Sequence, residues 1–165
     1  NILQPGCGVG GHCIAVDPYF ITSKFPLESK IIGSAREINN YKTFWCVEKI
    51  NHTVAGYENT FGRKPTIAIL GLAFKPNIDD LRESPALSIS QMIASMGFSS
   101  TFLVEPNINC IPNHFIGKDF RLVDLEKAIY AADIVVLLVD HTSFKSMDLS
   151  LLTGKQIIDT RGIWL

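Results

Sequence analysis

From residue 66 onward the apolar positions fall into short bursts separated by stretches of helical period. Thr66-Ile67-Ala68-Ile69-Leu70-Gly71 is a compact run of branched side chains, which predicts a buried strand. Pro85 to Met96 carries helical spacing and stops at Gly97, and Thr101-Phe102-Leu103-Val104 is apolar again. Leu125 to Ala132 predicts another helix, Ile134 to Val139 another buried strand, and Gln156-Ile157-Ile158-Asp159 a last one. Strands alternating with helix-length crossovers predict an α/β fold of the small doubly wound type, with a parallel, Rossmann-like sheet.

The first third of the chain reads differently. Ile31, Ile32, Ala35 and Ile38, then Phe44, Trp45, Val47, Ile50 and Val54, keep a mostly helical spacing between Glu28 and Gly56. This predicts one long helix, or two end to end with a break near Asn39 and Asn40. Its apolar positions cover more than a narrow stripe, which suits a dimer interface or packing against a further domain. The polar stretch Tyr57 to Pro65 holds Gly62 and Pro65 and is the expected boundary. Residues 1–60 are thus expected to form a loop and helical region, and 61–165 the α/β domain.

Composition narrows the partners. With 47% hydrophobic and 19% charged residues in 165, the chain is ordinary globular material. A net charge of -1 without any Lys/Arg-rich run argues against a nucleic-acid surface, and no apolar stretch reaches membrane-spanning length. Cys7, Cys13, Cys46 and Cys110 form no C-x-x-C pair and no disulfide-like framework, so reduced thiols in a cytoplasmic protein are the simplest expectation. The chain opens on Asn1 rather than on Met and is expected to be a piece of something longer.

Candidate chemistry concentrates in Gly6-Cys7-Gly8-Val9-Gly10-Gly11-His12-Cys13, followed by Asp17 and Pro18. Glycine at 6, 8, 10 and 11 uncovers backbone N–H groups and permits close approach to a polar ligand. Gly6, Gly8 and Gly11 satisfy G-x-G-x-x-G, but only Asn1 to Gln4 and Pro5 precede the loop and Pro18 follows too soon, so the strand and helix of a dinucleotide fingerprint are lacking. Cys13, with His12 and Asp17 near it, reads as a presented nucleophile. Cys7, His12 and Cys13 are also possible zinc ligands, though the remaining histidines are scattered; an inert core cysteine and an unrelated thiol enzyme stay open as well. Asp17 before Pro18 reads equally as a helix N-cap and as a group placing a water beside the thiol.

Ligands of open α/β sheets bind beyond the carboxyl ends of the strands. The first strand leads into Phe74 and Lys75 and on to Arg82, and the last leads into Arg161. Three cations at one sheet edge suit a phosphate or pyrophosphate. The plainer readings are that Ser84-Pro85 caps a helix, that Asp79 and Asp80 are turn residues, and that Arg82 is their salt-bridge partner.

The glycine loop ending in Gly-Gly-His-Cys with Asp17 four residues on, together with Gly71-Leu72-Ala73-Phe74-Lys75-Pro76-Asn77-Ile78-Asp79-Asp80-Leu81-Arg82-Glu83-Ser84-Pro85-Ala86, resembles the UDP-glucose/GDP-mannose dehydrogenase family. Its members oxidise nucleotide sugars to uronic acids, and the likeness runs over the whole chain. The resemblance implies a four-electron oxidation with NAD as cofactor, Cys13 capturing an aldehyde, and Asp17 serving as base or water-orienting group. It places Gly6, Gly8, Gly10, Gly11, His12, Phe74, Lys75 and Arg161 in the UDP-sugar site and Arg82 toward NAD. Close relatives are expected to carry Lys where Arg161 stands, and His12 favours the N-acetylhexosamine branch. It further implies an NAD-binding domain upstream of Asn1 and a homo-oligomer, a dimer, with residues 61–165 as the UDP-binding domain. The isolated chain is then expected to be inactive.

Overall fold

The computed structural model describes residues 3–98 and 100–164. Helix α1 spans Asp17–Lys24 and α2 spans Lys30–Phe61. The sheet follows, with β1 at Ile67–Leu70, β2 at Thr101–Val104, β3 at Phe120–Leu122, β4 at Ile134–Leu137 and β5 at Gln156–Asp159. Helices α3 (Pro85–Ser95), α4 (Leu125–Ala131) and α5 (Thr142–Lys145) lie between them. The strands are ordered β3-β2-β1-β4-β5 and every pairing is parallel. Strands are added outward on one side of β1 and then on the other, so the order of winding reverses between β1 and β4, and the ligand crevice of this topology lies beyond Leu70 and Leu137.

Burial explains why the strands lack polar alternation. All four residues of β1, β2 and β4 are buried, because helices cover both faces of the sheet. Ile67, Ile69, Leu103, Ile134 and Val136 point to one side and pack with Ile89 and Ile93 of α3 and with Cys46, Val47, Ile50 and Val54 of α2. Ala68, Leu70, Val135 and Leu137 point to the other and pack with Ala128, Ile129 and Phe144. Each fully buried Ile or Leu contributes about 1.5–3 kcal/mol relative to exposure.

Several local expectations change. Helix α2 is unbroken at Asn39 and Asn40 and runs on through Phe61, five residues into the stretch expected as a boundary, where Gly62 ends it with φ 65°. Tyr57 is buried there and donates to Asp133 Oδ1 at 2.7 Å, tying the helix end to the start of β4. Asp17 is not an N-cap: the N–H groups of Val16 and Asp17 already bond Cys13 O at 2.9 and 2.8 Å, so Val16 caps and Asp17 lies in the first turn. In contrast to its sheet-facing second half, α1 and the first half of α2 leave Phe20, Leu27, Ile31 and Ile38 exposed, Ile31 by 86%. Among the described residues, no helix is long and apolar enough to cross a membrane.

Candidate active site

The glycine loop lies across the carboxyl ends of β1 and β4. Helix α2 holds it there: Asn39 accepts from Val9 N at 2.8 Å and donates to Val9 O at 3.2 Å, while Thr43 Oγ1 donates to Cys7 O at 3.3 Å. The glycines serve contact with protein as much as openness to ligand. A Cβ on Gly10 would collide with the Glu83 carbonyl and stand 2.6 Å from Pro85 Cδ. Gly11, at φ 93°, would put a Cβ 2.9 Å from the Phe74 ring, and Gly6 would meet the Arg161 guanidinium. The loop therefore presses flat on the residues that the sequence assigned to a ligand.

The two loop thiols part company. Cys7 is buried, with its Sγ 3.6 Å from Leu138 O. Burial, reinforced by Cys46, pushes its pKa up to about 12, so it stays a thiol. Cys13 is exposed, which removes the core-residue reading for it. It lies near enough to Arg82 to interact electrostatically with the guanidinium. Among the described residues no group of three His, Cys, Asp or Glu side chains converges to hold a metal.

A cleft opens between the loop and the sheet edge. Gly8, Gly10, Phe74, Lys75, Asp140 and Arg161 line it, with Ile14 from the residue after Cys13. Lys75 is exposed, Nζ 5.6 Å from the Phe74 ring centroid, and among the described residues it has no ion-pair partner. Arg161 is aimed by its own turn: Asp159, at the end of β5, accepts from Arg161 N at 2.8 Å and Gly162 N at 2.7 Å. Its Nε stands 2.9 Å from Asp140 Oδ1, while Lys145 Nζ takes the other oxygen at 2.6 Å. Burial pushes the Asp140 carboxyl up, but the Lys145 hydrogen bond and the Arg161 charge outweigh it, so its pKa falls and it stays ionised.

Of the three cations expected to converge, Lys75 and Arg161 share the cleft and Arg82 stands apart. Arg82 Nη2 pairs with Asp80 Oδ2 at 2.6 Å and reaches His12 Nδ1 at 3.3 Å. That hydrogen bond holds Asp80 down to about pKa 2. The salt-bridge reading of Arg82 is thus correct for Asp80, yet the side chain remains 64% exposed, with Nη2 also reaching His12. Ser84 does cap α3, accepting from Leu87 N at 3.2 Å while donating to Leu72 O at 2.7 Å.

Two features escaped the sequence reading. One is Asn39, whose amide clamps the glycine loop from mid-helix. The other is a buried polar cluster beneath the cleft. Glu105, directly after β2, accepts from Leu72 N at 2.7 Å, Ala73 N at 3.0 Å and His141 Nε2 at 3.1 Å. His141 Nδ1 accepts from Asn77 N at 3.0 Å, which leaves the ring hydrogen on Nε2. A charged residue ending one apolar strand and a histidine just past another were the available signals.

A parallel Rossmann-like sheet with a cationic crevice at its switch point, overlaid by a loop that exposes one thiol, defines a class of nucleotide-handling α/β proteins. Residues 68–165 match the UDP binding domain of the UDP-glucose/GDP-mannose dehydrogenase family, and residues 1–41 match that family's central domain. The chain belongs to this family. It is 44% identical over 167 residues to the UDP-N-acetyl-D-mannosamine dehydrogenase of Escherichia coli (strain K12), and 46% identical to that of Salmonella typhi. Identity is also 44% over 164 residues to the NDP-N-acetyl-D-galactosaminuronic acid dehydrogenase of Ralstonia nicotianae. These alignments cover 99% of this chain but only 40%, 40% and 37% of the relatives, so the chain spans well under half of their length. The UDP-D-ManNAc dehydrogenase structure from Pyrococcus horikoshii superposes with TM-score 0.78 at 31% identity, covering 99% of this chain and 37% of that one.

Proposed function

We propose that this chain is the C-terminal part of an NAD-dependent UDP-N-acetyl-D-mannosamine 6-dehydrogenase serving bacterial surface polysaccharide synthesis. The observation that carries the reading is the pairing of a two-cation cleft with a neighbouring exposed thiol. Lys75 and Arg161 suit the pyrophosphate of UDP, the Phe74 ring offers an apolar face, and the loop Gly6 to His12 closes over the sugar nucleotide. The two curated UDP-N-acetyl-D-mannosamine dehydrogenases at 44% and 46% identity support the manno substrate. Four free thiols agree with a cytoplasmic setting.

NAD would supply the hydride acceptor for the two oxidations of the sugar C6, two molecules in succession taking one hydride each. Its holder, as the family resemblance implies, would be a domain upstream of Asn1; in this chain the N–H groups after β1 are already taken by Glu105. Arg82 fits the cofactor side: its guanidinium is exposed beside Cys13 and anchored on one edge only. Cys13 Sγ adds to the C6 aldehyde carbon, and the former aldehyde oxygen takes a proton. Loss of the second hydride from C6, together with the hydroxyl proton to solvent, leaves a thioester on Sγ. Water then attacks the acyl carbon, Cys13 departs as thiolate, and the carboxylate is released. The thiol holds the aldehyde between the two oxidations, and Asp17, in the first turn of α1, takes the proton of the attacking water. The exposed apolar face of α1 and α2 forms a dimer interface, and the chain without its upstream domain forms no NADH.

Replacing Cys13 by Ala in the full-length protein is the test. Acid formation should vanish while UDP still competes for the substrate site with unchanged affinity. Undiminished acid formation by Cys13→Ala refutes the covalent role. A non-catalytic binding module would bind the sugar nucleotide and form no acid even with Cys13 intact.

A further inference from the structure

The loop that carries Phe74 and Lys75 runs from Gly71 to Ser84, and two of its non-glycine residues, Asn77 and Glu83, adopt left-handed φ of 60° and 49°. Such conformations persist only where the surroundings dictate them. At Asn77 the surroundings converge, through His141, on one side chain. Glu105 is buried, and all its partners donate: Leu72 N, Ala73 N and His141 Nε2 to Oε2, Asn107 N and Nδ2 to Oε1. Burial pushes its carboxyl up, yet the hydrogen bonds from His141, Leu72 and Ala73 outweigh it, so it is held ionised.

The position explains the charge. Backbone N–H groups directly after β1 are those that a dinucleotide-binding sheet offers to a pyrophosphate. Here a carboxylate of the protein itself takes them. His141 extends the arrangement, because the ring that donates to Glu105 accepts from Asn77 N on its far side. Asn77 then bonds Thr142 in both directions, Nδ2 to Oγ1 at 2.9 Å and Thr142 N to Oδ1 at 3.0 Å. The loop is pinned at Leu72 and Ala73 and again at Asn77, with Phe74, whose N–H bonds Asp80 O at 3.2 Å, and Lys75 between the pins.

We propose that Glu105, acting with His141 and Asn77, is a positioning residue whose acceptor oxygens fix the Gly71 to Asn77 loop, so that Phe74 and Lys75 face the cleft already in the geometry that holds UDP. The proposal rests on the reading of the cleft as the UDP site.

Glu105→Gln distinguishes position from mere burial. Its remaining carbonyl oxygen can keep the Leu72, Ala73 and His141 contacts if the amide nitrogen turns toward Asn107, whose side-chain amide can flip to accept while the bond from Asn107 N is given up. Glu105→Leu keeps the volume and removes every acceptor. Asn77→Gly keeps the left-handed backbone and removes the Thr142 pin, from an exposed position where folding is safe.

UDP affinity of the full-length protein is measured by calorimetry, with thermal melting of each variant alongside. Glu105→Leu should weaken UDP binding by about tenfold or more, Asn77→Gly by about threefold with unchanged melting, and Glu105→Gln by less than about threefold. Unchanged UDP affinity in folded Glu105→Leu overturns the proposal. If that variant does not fold, unchanged affinity in Asn77→Gly overturns it instead. Failure of the wild-type protein to bind UDP overturns the functional reading itself, whatever the variants do.

Discussion

Arg161 is where the cleft's chemistry can be put to a number. Its side chain is 19% exposed, its turn is fixed by Asp159, and its only ion pair among the described residues is to Asp140, which Lys145 already shares. If Arg161 grips a UDP phosphate, Arg161→Ala removes a charge-assisted hydrogen bond worth about 1.5–3 kcal/mol. That corresponds to a rise in Kd of about 10- to 150-fold. The loss has a second component, because Asp140 is left ionised on the cleft wall with only Lys145 to offset it, and like charge repels the ligand. Adding Asp140→Asn to Arg161→Ala should therefore restore part of the affinity, and Arg161→Lys, which keeps the charge but not the fork, should cost less than about fivefold. The assay is UDP calorimetry on the full-length protein at two salt concentrations, since a phosphate contact weakens with ionic strength. A folded Arg161→Ala protein that binds UDP within about twofold of wild type, at both salts, would refute the assignment.

The four thiols should differ in alkylation. Iodoacetamide at pH 8 should modify exposed Cys13 and Cys110 and spare buried Cys7 and Cys46, since Cys7, at about pKa 12, is only about one part in 10⁴ thiolate there and burial also raises Cys46; mass spectrometry of tryptic peptides reads it, and early labelling of Cys7 would contradict its burial. Gly10→Ala should destabilise by about 1–3 kcal/mol, because Glu83 O and Pro85 must move to admit the methyl group, and the melting temperature should fall accordingly. Asp133 accepts from Tyr57, from Thr66 N at 2.8 Å and from both Arg63 Nη atoms, and the Arg63 hydrogen bond, foremost, holds its pKa below the ordinary carboxylate value. Its stabilisation is present above about pH 4 and lost as pH falls through the lowered folded value. Asp133→Asn should therefore cost about 1–2 kcal/mol in urea unfolding at pH 7, Arg63 counting little because it is exposed, and the gap to wild type should close in acid; a pH-independent gap would refute the linkage.

The sheet was legible because parallel strands covered on both faces must be continuously apolar, and β1, β2 and β4 are. Edge strand β3 went unseen: it is three residues long, and Arg121 in its middle is exposed. Helix α1 announced itself only through Asp17 and Pro18, since Tyr19, Phe20 and Ile21 are all exposed and draw no stripe. The glycine loop was found by composition, but what its glycines touch, Phe74, Glu83 and Arg161, depends on residues some 63 to 155 positions away and is invisible to any local pattern. The Glu105 and His141 pair was hidden for the same reason, being 36 residues apart and joined only when β2 and β4 flank β1.

The most direct test of the reaction is the NADH formed per UDP-N-acetylmannosamine consumed by the full-length protein, with UDP-N-acetylglucosamine and UDP-glucose run alongside. Two NADH per sugar, for the manno substrate alone, is the expected result and would establish the four-electron oxidation and its substrate together. A folded protein that forms no NADH from any of the three would contradict it and leave this chain as part of a binding module or of an enzyme for another nucleotide sugar.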